Sequence, residues 1–204
     1  MLTVHHLGVS QSERIVWLCE ELEIPYTLKL YKRDPMMAPA DYKALHPLGT
    51  APIITDGELA LAESAAIIEY VVHQYGGGRL IPKPGSPNWT DYLFWFHFAN
   101  GSLMPAMMIG MVMSMAGVTP DSPVGQAMLS RRDTAIAMLD QRLRESNYLA
   151  GPDFTAADIM NVFPFGTGQA FMPNDLSKLP GISSYMQRIA ARPGYRRAMQ
   201  KAEA

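Results

Sequence analysis

The chain has 204 residues, 48% apolar and 18% charged, with a formal net charge of −2. That composition describes one large or two small globular domains with a substantial core, and without a long basic run it excludes the signature of a nucleic-acid or anionic-membrane binder. A single cysteine, Cys19, rules out an internal disulfide and points to a reducing, cytoplasmic compartment.

The first residues read as a strand (2–6), without the basic start, apolar run and small-residue cleavage site of a secretion signal. Ile15, Val16, Leu18, Cys19 and Leu22 recur at helical spacing and predict an amphipathic helix over 12–23, stopped by Pro25. A second strand follows (26–31), then a loop with a short helix (34–44). Strands over 52–55 and 58–61 are joined by Asp56-Gly57, a hairpin dipeptide. Ile67, Ile68, Val71, Val72 and Tyr75 mark the next helix, ended by Gly76-Gly77-Gly78. The order β-α-β-α-β-β-α predicts a parallel first pair of strands and an antiparallel hairpin at the edge.

A proline- and glycine-rich linker (80–88) separates this α/β domain (1–79) from an all-helical one (89–204). Helices are expected over 89–115, 123–146, 156–165, 182–191 and 195–201. The apolar stretch 103–118 contains Pro105 and Gly110 and falls short of the roughly 20 residues that span a membrane, so it is expected as a buried helix. Thr155-x-x-Asp158 fits a capping box, flanked by Phe154 and Ile159 as a hydrophobic staple, and its role is expected to be folding of the helical domain.

Three short segments carry candidate chemistry. In SQSER (10–14), Ser10-x-x-Glu13 fits a capping box, yet a hydroxyl that accepts from a helix N–H still has a proton to give to a thiolate, and a helix N-terminus favours negative charge there. Ser12 is the competing hydroxyl. A cis bond at Ala51-Pro52 would turn the Ala51 main chain outward as an edge for an extended peptide-like ligand; a proline at a strand start is the plainer alternative. Glu63-Ser64 opens a helix, where an anion is favoured. There Ser64 would donate to a carboxylate and Glu63 would hold an ammonium, a pairing that suits a free amino-acid terminus; simple capping is the alternative. Cys19 lies on an apolar stripe and is expected to pack. Arg14 is expected to support structure beside acidic partners. The histidines form no metal-ligand spacing, and no metal is expected.

These segments, in this order, resemble the glutathione transferase family: HHLGVSQSERIVWLCEELEIPYTL, LHPLGTAPII, ELALAESAAIIEYV and FTAADI together span nearly the whole chain. The likeness is greatest to its serine-type, theta-related bacterial and fungal branch. The resemblance implies an α/β thioredoxin-like N-terminal domain plus an all-α C-terminal domain. It implies glutathione as co-substrate, Ala51 and Pro52 at its cysteinyl part, Glu63 and Ser64 at its γ-glutamyl end, and Ser10 (or Ser12) as catalytic thiolate donor. Where many relatives carry a lysine, this chain has Thr50, leaving His46, Lys32 or Arg33 for the glycyl carboxylate. It also implies a homodimer.

A small apolar electrophile is expected between the domains, against Phe96, Asn100, Met104 and Met107, whose spacings of three and four put them on one helix face; ordinary core is the alternative. The expected activity is transfer of glutathione to an electrophile, with peroxidase activity as a further possibility. The alternatives are a non-catalytic glutathione or apolar-ligand binder of the same fold, and a glutathione-dependent disulfide reductase.

Overall fold

The computed structural model describes residues 1–203. Contacts divide the chain into two compact units: Met1–Ile81 together with the segment from Ile189, and Pro82–Arg188.

The first unit is built on a four-stranded sheet of order β2-β1-β3-β4, with β1 at Leu2–Leu7, β2 at Thr27–Tyr31, β3 at Ile53–Asp56 and β4 at Leu59–Ala62. β1 runs parallel to β2, with Val4 opposite Leu28, and antiparallel to β3, with Val4 opposite Ile54. As the central apolar residue of the sheet, Val4 is wholly buried. The β3–β4 hairpin is antiparallel, and Gly57 takes the positive φ its turn requires.

Helices α1 (Glu13–Leu22), α2 (Ala40–Lys43) and α3 (Ser64–Gln74) belong to this unit. Nearly every residue of α1 is buried, because α3 and a C-terminal helix, α9 (Pro193–Ala202), both pack on it. α9 is pinned by charge. Arg192 donates from Nε and Nη2 to the Glu21 carboxylate at 2.8 and 2.9 Å, Arg197 reaches the Glu20 carboxylate at 2.9 Å, and Lys201 pairs with Glu20 as well. Trp17 meets the Tyr195 ring edge-on at 4.9 Å. The approach is close enough that a Cβ on Gly194 would sit 2.7 Å from the Glu21 side chain. The sequence pattern counts 89–204 as one helical block; these contacts instead group α9 with the sheet unit.

The second unit comprises α4 (Trp89–Phe98), a π-turn (Ala99–Leu103), α5 (Met104–Met115), α6 (Pro123–Glu145), α7 (Ala156–Asn161) and α8, whose helix covers Pro180–Ala191 and runs past the unit's last residue. The expected helix over 156–165 stops at Asn161 and continues as short 3₁₀ turns, consistent with Pro164, which cannot donate an α-helical bond. Pro105 behaves differently. It stands in the first turn of α5, directly after the π-turn, where no N–H is missed, so 89–115 forms one unbroken helical run of 27 residues. By length and composition that run suffices to cross a membrane, so the brevity argued from 103–118 does not hold. The stretch expected as a buried helix is buried on one side only: Leu103, Met104, Ala106, Met107 and Met113 are covered, whereas Met108, Val112 and Met115 are exposed.

The capping box forms as the sequence indicates. Asp158 is wholly buried at the start of α7. Its Oδ2 accepts from the Thr155 N–H at 2.8 Å, and its Oδ1 accepts from the Leu149 N–H at 3.0 Å and the Tyr185 hydroxyl at 3.1 Å.

Candidate active site

The loop from β1 to α1 places two buried hydroxyls in contact. Ser10 Oγ lies 2.7 Å from Ser12 Oγ and donates to the Leu7 carbonyl at 2.7 Å. Ser12 Oγ accepts from the Leu7 N–H at 3.1 Å and stands 2.8 Å from His6 Nδ1. With the Ser10 proton on the Leu7 carbonyl, the Ser12 proton serves the Ser10 oxygen, and His6 Nδ1 stands at the far end of the row. Ser12 has no exposed surface, whereas Ser10 keeps 7%. The Ser10-x-x-Glu13 capping box does not form, because the helix begins after Ser12 and the Ser10 side chain turns back to Leu7.

That turn depends on Val9, which sits at φ 46. A β-branched residue in the left-handed region is strained. Arg33 holds it there, donating from Nε to the Gly8 carbonyl at 2.9 Å and from Nη2 to the Val9 carbonyl at 2.8 Å. Neither Val9 nor Arg33 is singled out for this loop by sequence pattern: a left-handed valine has no compositional mark, and its clamp lies 24 residues away.

Burial pushes the His6 pKa down from 6.5 to about 4. His6 is therefore neutral in the fold, while the unfolded chain takes up a proton below pH 6.5. The stabilisation is complete above pH 6.5 and is lost as pH falls towards 4. Between pH 7.5 and 5.0 this group is expected to remove about 2 kcal/mol from the unfolding free energy. Urea titrations of the natural chain and His6→Gln at both pH values check this; equal pH dependence in the two would contradict it.

Ala51-Pro52 is a cis peptide bond, with Pro52 buried and Ala51 half-buried just ahead of β3. Glu63 precedes α3 at φ 73, exposed, and its side chain makes no cap bond. Ser64 is buried at the first helical position, where its Oγ accepts from Arg14 Nη1 at 3.1 Å. Simple capping thus does not describe this pair. Of the three residues considered for a glycyl carboxylate, Arg33 is committed to the serine loop and Lys32 is exposed. His46 is half-buried, and its Nδ1 accepts from the Leu48 N–H at 3.2 Å, which puts the ring proton of the neutral side chain on Nε2.

In the helical unit Phe96, Met104 and Met107 are 4% exposed or less, and Asn100 is half-buried within the π-turn. Phe96 stacks on Tyr92 at 5.3 Å between ring centres. The π-turn absorbs one residue, so Phe96 and Met104 recur as an i,i+7 pair would in a regular helix. Met107 also borders a cavity of about 350 Å³, with Gly110, Met111, Met115, Phe171 and Met172 along its wall. Cys19 is wholly buried and its thiol is pushed up to about 12, so it packs and does not react. Among the described residues no group of three or more His, Cys, Asp or Glu is placed to hold a metal.

A mixed four-stranded sheet with a cis-proline before its third strand, followed by a helical unit, defines the class: a thioredoxin-like domain joined to an all-α domain. Residues 10–74 match the glutathione S-transferase N-terminal domain, and residues 103–193 match the glutathione S-transferase C-terminal domain. Glutathione S-transferase 3 of Schizosaccharomyces pombe is 34% identical over 217 residues, covering 100% of this chain and 88% of that protein. GstB of Escherichia coli K12, also a glutathione S-transferase, is 29% identical over 199 residues, covering 92% and 91%. The crystal structure of a glutathione S-transferase from Actinobacillus pleuropneumoniae superposes with a TM-score of 0.90 at 29% identity, covering 100% of this chain and 94% of that one. The chain belongs to the glutathione S-transferase family and is an enzyme of that class, a glutathione transferase.

Proposed function

We propose that the enzyme binds glutathione on the sheet unit, activates its thiol at Ser10 and passes the sulfur to a small apolar electrophile in detoxification. The observation that carries this reading is that Ser10 and Ser64 each follow a non-glycine residue at positive φ, Val9 at 46° and Glu63 at 73°. Such backbone costs about 1–3 kcal/mol per residue and persists where surrounding structure enforces it, commonly at functional sites. Here it stands before both hydroxyls for which the chemistry needs an aimed donor.

Glutathione would lie with its cysteinyl main chain along Ala51 at Pro52, its γ-glutamyl ammonium at Glu63 and its γ-glutamyl carboxylate at Ser64. His46 Nε2–H is the donor we assign to the glycyl carboxylate. Ser10 would give its proton to the sulfur in place of the Leu7 carbonyl. A free thiol has a pKa of about 8.5, and each unit of depression is about 1.4 kcal/mol of thiolate preference. One hydroxyl donor and the N-terminus of α1 supply roughly 1.5–3 kcal/mol, one to two units. The thiolate then forms a carbon–sulfur bond as the electrophile's leaving group departs with its electron pair, or attacks the terminal oxygen of a hydroperoxide, whose O–O bond breaks to release an alcohol and leave the sulfenic acid of glutathione, which a second glutathione converts to the disulfide with loss of water. Of the four residues considered for the apolar substrate, Met107 borders a cavity and Asn100 keeps exposed surface, and we assign the contact to these two, with buried Phe96 and Met104 packed behind them.

A cytoplasmic homodimer completes the reading. The unpaired, buried Cys19 supports the compartment, and the exposed side chains of Met108, Val112 and Met115, spaced four and three apart on α5, support a protein surface there.

The test is a thiolate absorbance titration of the glutathione complex, run with an activity panel of an aryl halide, a hydroperoxide and a mixed disulfide. A bound-thiol pKa one to two units below the free value, with turnover of the halide or the hydroperoxide, is expected. Binding with an unshifted thiol and no turnover would make the chain a carrier. Turnover of the mixed disulfide alone would make it a reductase. Failure to bind glutathione would overturn the reading.

A further inference from the structure

Behind Ser64 lies a cation that the serine chemistry leaves without a task. Arg14, in the first turn of α1, is 2% exposed, which is rare for a guanidinium. Nη1 contacts the Gln11 side-chain oxygen and donates to Ser64 Oγ at 3.1 Å, joining the start of α1 to the start of α3 across 50 residues of sequence. A serine hydroxyl has one proton and two acceptor positions, whereas arginine has donors only. Once Arg14 donates to Ser64, the Ser64 proton has no use for Arg14 and is free for an acceptor elsewhere. A buried positive charge behind that hydroxyl favours an anionic acceptor, and so do the first N–H groups of α3, an 11-residue helix.

We infer that Arg14 is a positioning residue for carboxylate recognition: through its hydrogen bond to Ser64 Oγ it sets that hydroxyl as a donor and lends it a buried positive charge. The inference rests on the reading of Ser64 as the γ-glutamyl carboxylate site. Arg14 acts from behind the hydroxyl. The carboxylate bonds to Ser64, and the ligand's thiol, cysteinyl main chain and glycyl end are untouched by the arginine. Desolvation lowers the Arg14 pKa to about 9, with Glu13 opposing it, so the guanidinium stays charged at neutral pH.

The test separates carboxylate recognition from mere folding. Calorimetry measures glutathione and its analogue lacking the γ-glutamyl α-carboxylate against the natural chain, Arg14→Gln, Arg14→Lys and Ser64→Ala. The natural chain is expected to prefer glutathione by at least tenfold. Arg14→Gln is expected to lose glutathione affinity at least tenfold and analogue affinity less than twofold, so the preference collapses. Adding Ser64→Ala to Arg14→Gln is expected to cost little more, because the two act as one unit. Arg14→Lys keeps a charge and most of the stem, but its Nζ falls one atom short of the Nη1 position that serves both Gln11 and Ser64, and it is expected to lose at least threefold of the preference. Should Arg14→Gln fail to fold, Arg14→Lys decides the matter. Equal losses for both ligands, or full retention of the preference in Arg14→Lys, would overturn the inference while leaving the Ser64 site standing. A natural chain that binds both ligands alike would overturn the Ser64 reading, and this inference with it.

Discussion

Asp158→Ala is expected to destabilise the helical unit by about 3–5 kcal/mol and to lower the melting temperature by about 10 °C. The carboxylate occupies the hub of a buried network: one oxygen accepts the Thr155 N–H, and the other accepts the Leu149 N–H and the Tyr185 hydroxyl. The Thr155 hydroxyl also donates to the first oxygen at 3.2 Å, and alanine strands all four donors, the buried backbone N–H groups at about 1–3 kcal/mol each. Asp158→Asn is expected to be damaging too, though less so. An amide has one oxygen, so whichever way it is turned its NH₂ faces one of the backbone N–H groups. Burial lifts the Asp158 pKa to about 6, against the pull of these donors. Because that pKa is raised, the group's contribution is greatest below its unfolded value near 4 and declines as pH rises through 6. Calorimetric melting of the three proteins checks the ranking, and glutathione affinity measured alongside is expected to change far less than stability. A melting temperature unchanged in Asp158→Ala would refute the account of the network.

The second large effect concerns the two serines: both bear on stability, and Ser10 alone on the thiol. Ser10→Ala is expected to raise the bound-thiol pKa by about one to two units and to cut kcat/KM at pH 6.5 about 10–100-fold, and to lower stability by about 1–3 kcal/mol, because the buried Ser12 N–H loses its acceptor. Ser12→Ala is expected to lower stability as well but to leave the bound-thiol pKa unchanged. Its hydroxyl is wholly buried between the Leu7 N–H and His6 Nδ1, and removing it strands both partners at about 1–3 kcal/mol of stability. If the thiol titration shifts in Ser12→Ala and not in Ser10→Ala, the proposed roles are exchanged. If it shifts in neither, hydroxyl activation of the sulfur is wrong.

Much of the first unit is legible in sequence. Its strands and helices have unambiguous periods, and Asp56-Gly57 and Gly76 supply the stops that local chemistry demands. Helix boundaries in the second unit are less legible where proline is involved. The helix expected over 89–115 does run through Pro105, because a wide turn directly before it removes the need for an N–H, whereas the helix expected over 156–165 stops at Asn161, short of Pro164. What no local pattern carries is contact across long separations. Arg14 meets Ser64 and Arg33 meets Val9 only once the sheet exists. Left-handed Val9 and Glu63 are equally silent, because glycine is the residue that advertises such backbone. The fate of α9 is hidden for another reason: its helical period states which face is buried and nothing about the surface that buries it.

The pinning of α9 to α1 bears on how the chain is made. A ribosome delivers the sheet and the first three helices long before Arg192, Arg197 and Lys201 emerge, so a nascent N-terminal half waits with Glu20 and Glu21 lacking their cations and one flank of Trp17 bare. The first unit is therefore completed only after the second has been synthesised, and the growing polypeptide must keep that apolar flank from straying contacts until α9 arrives.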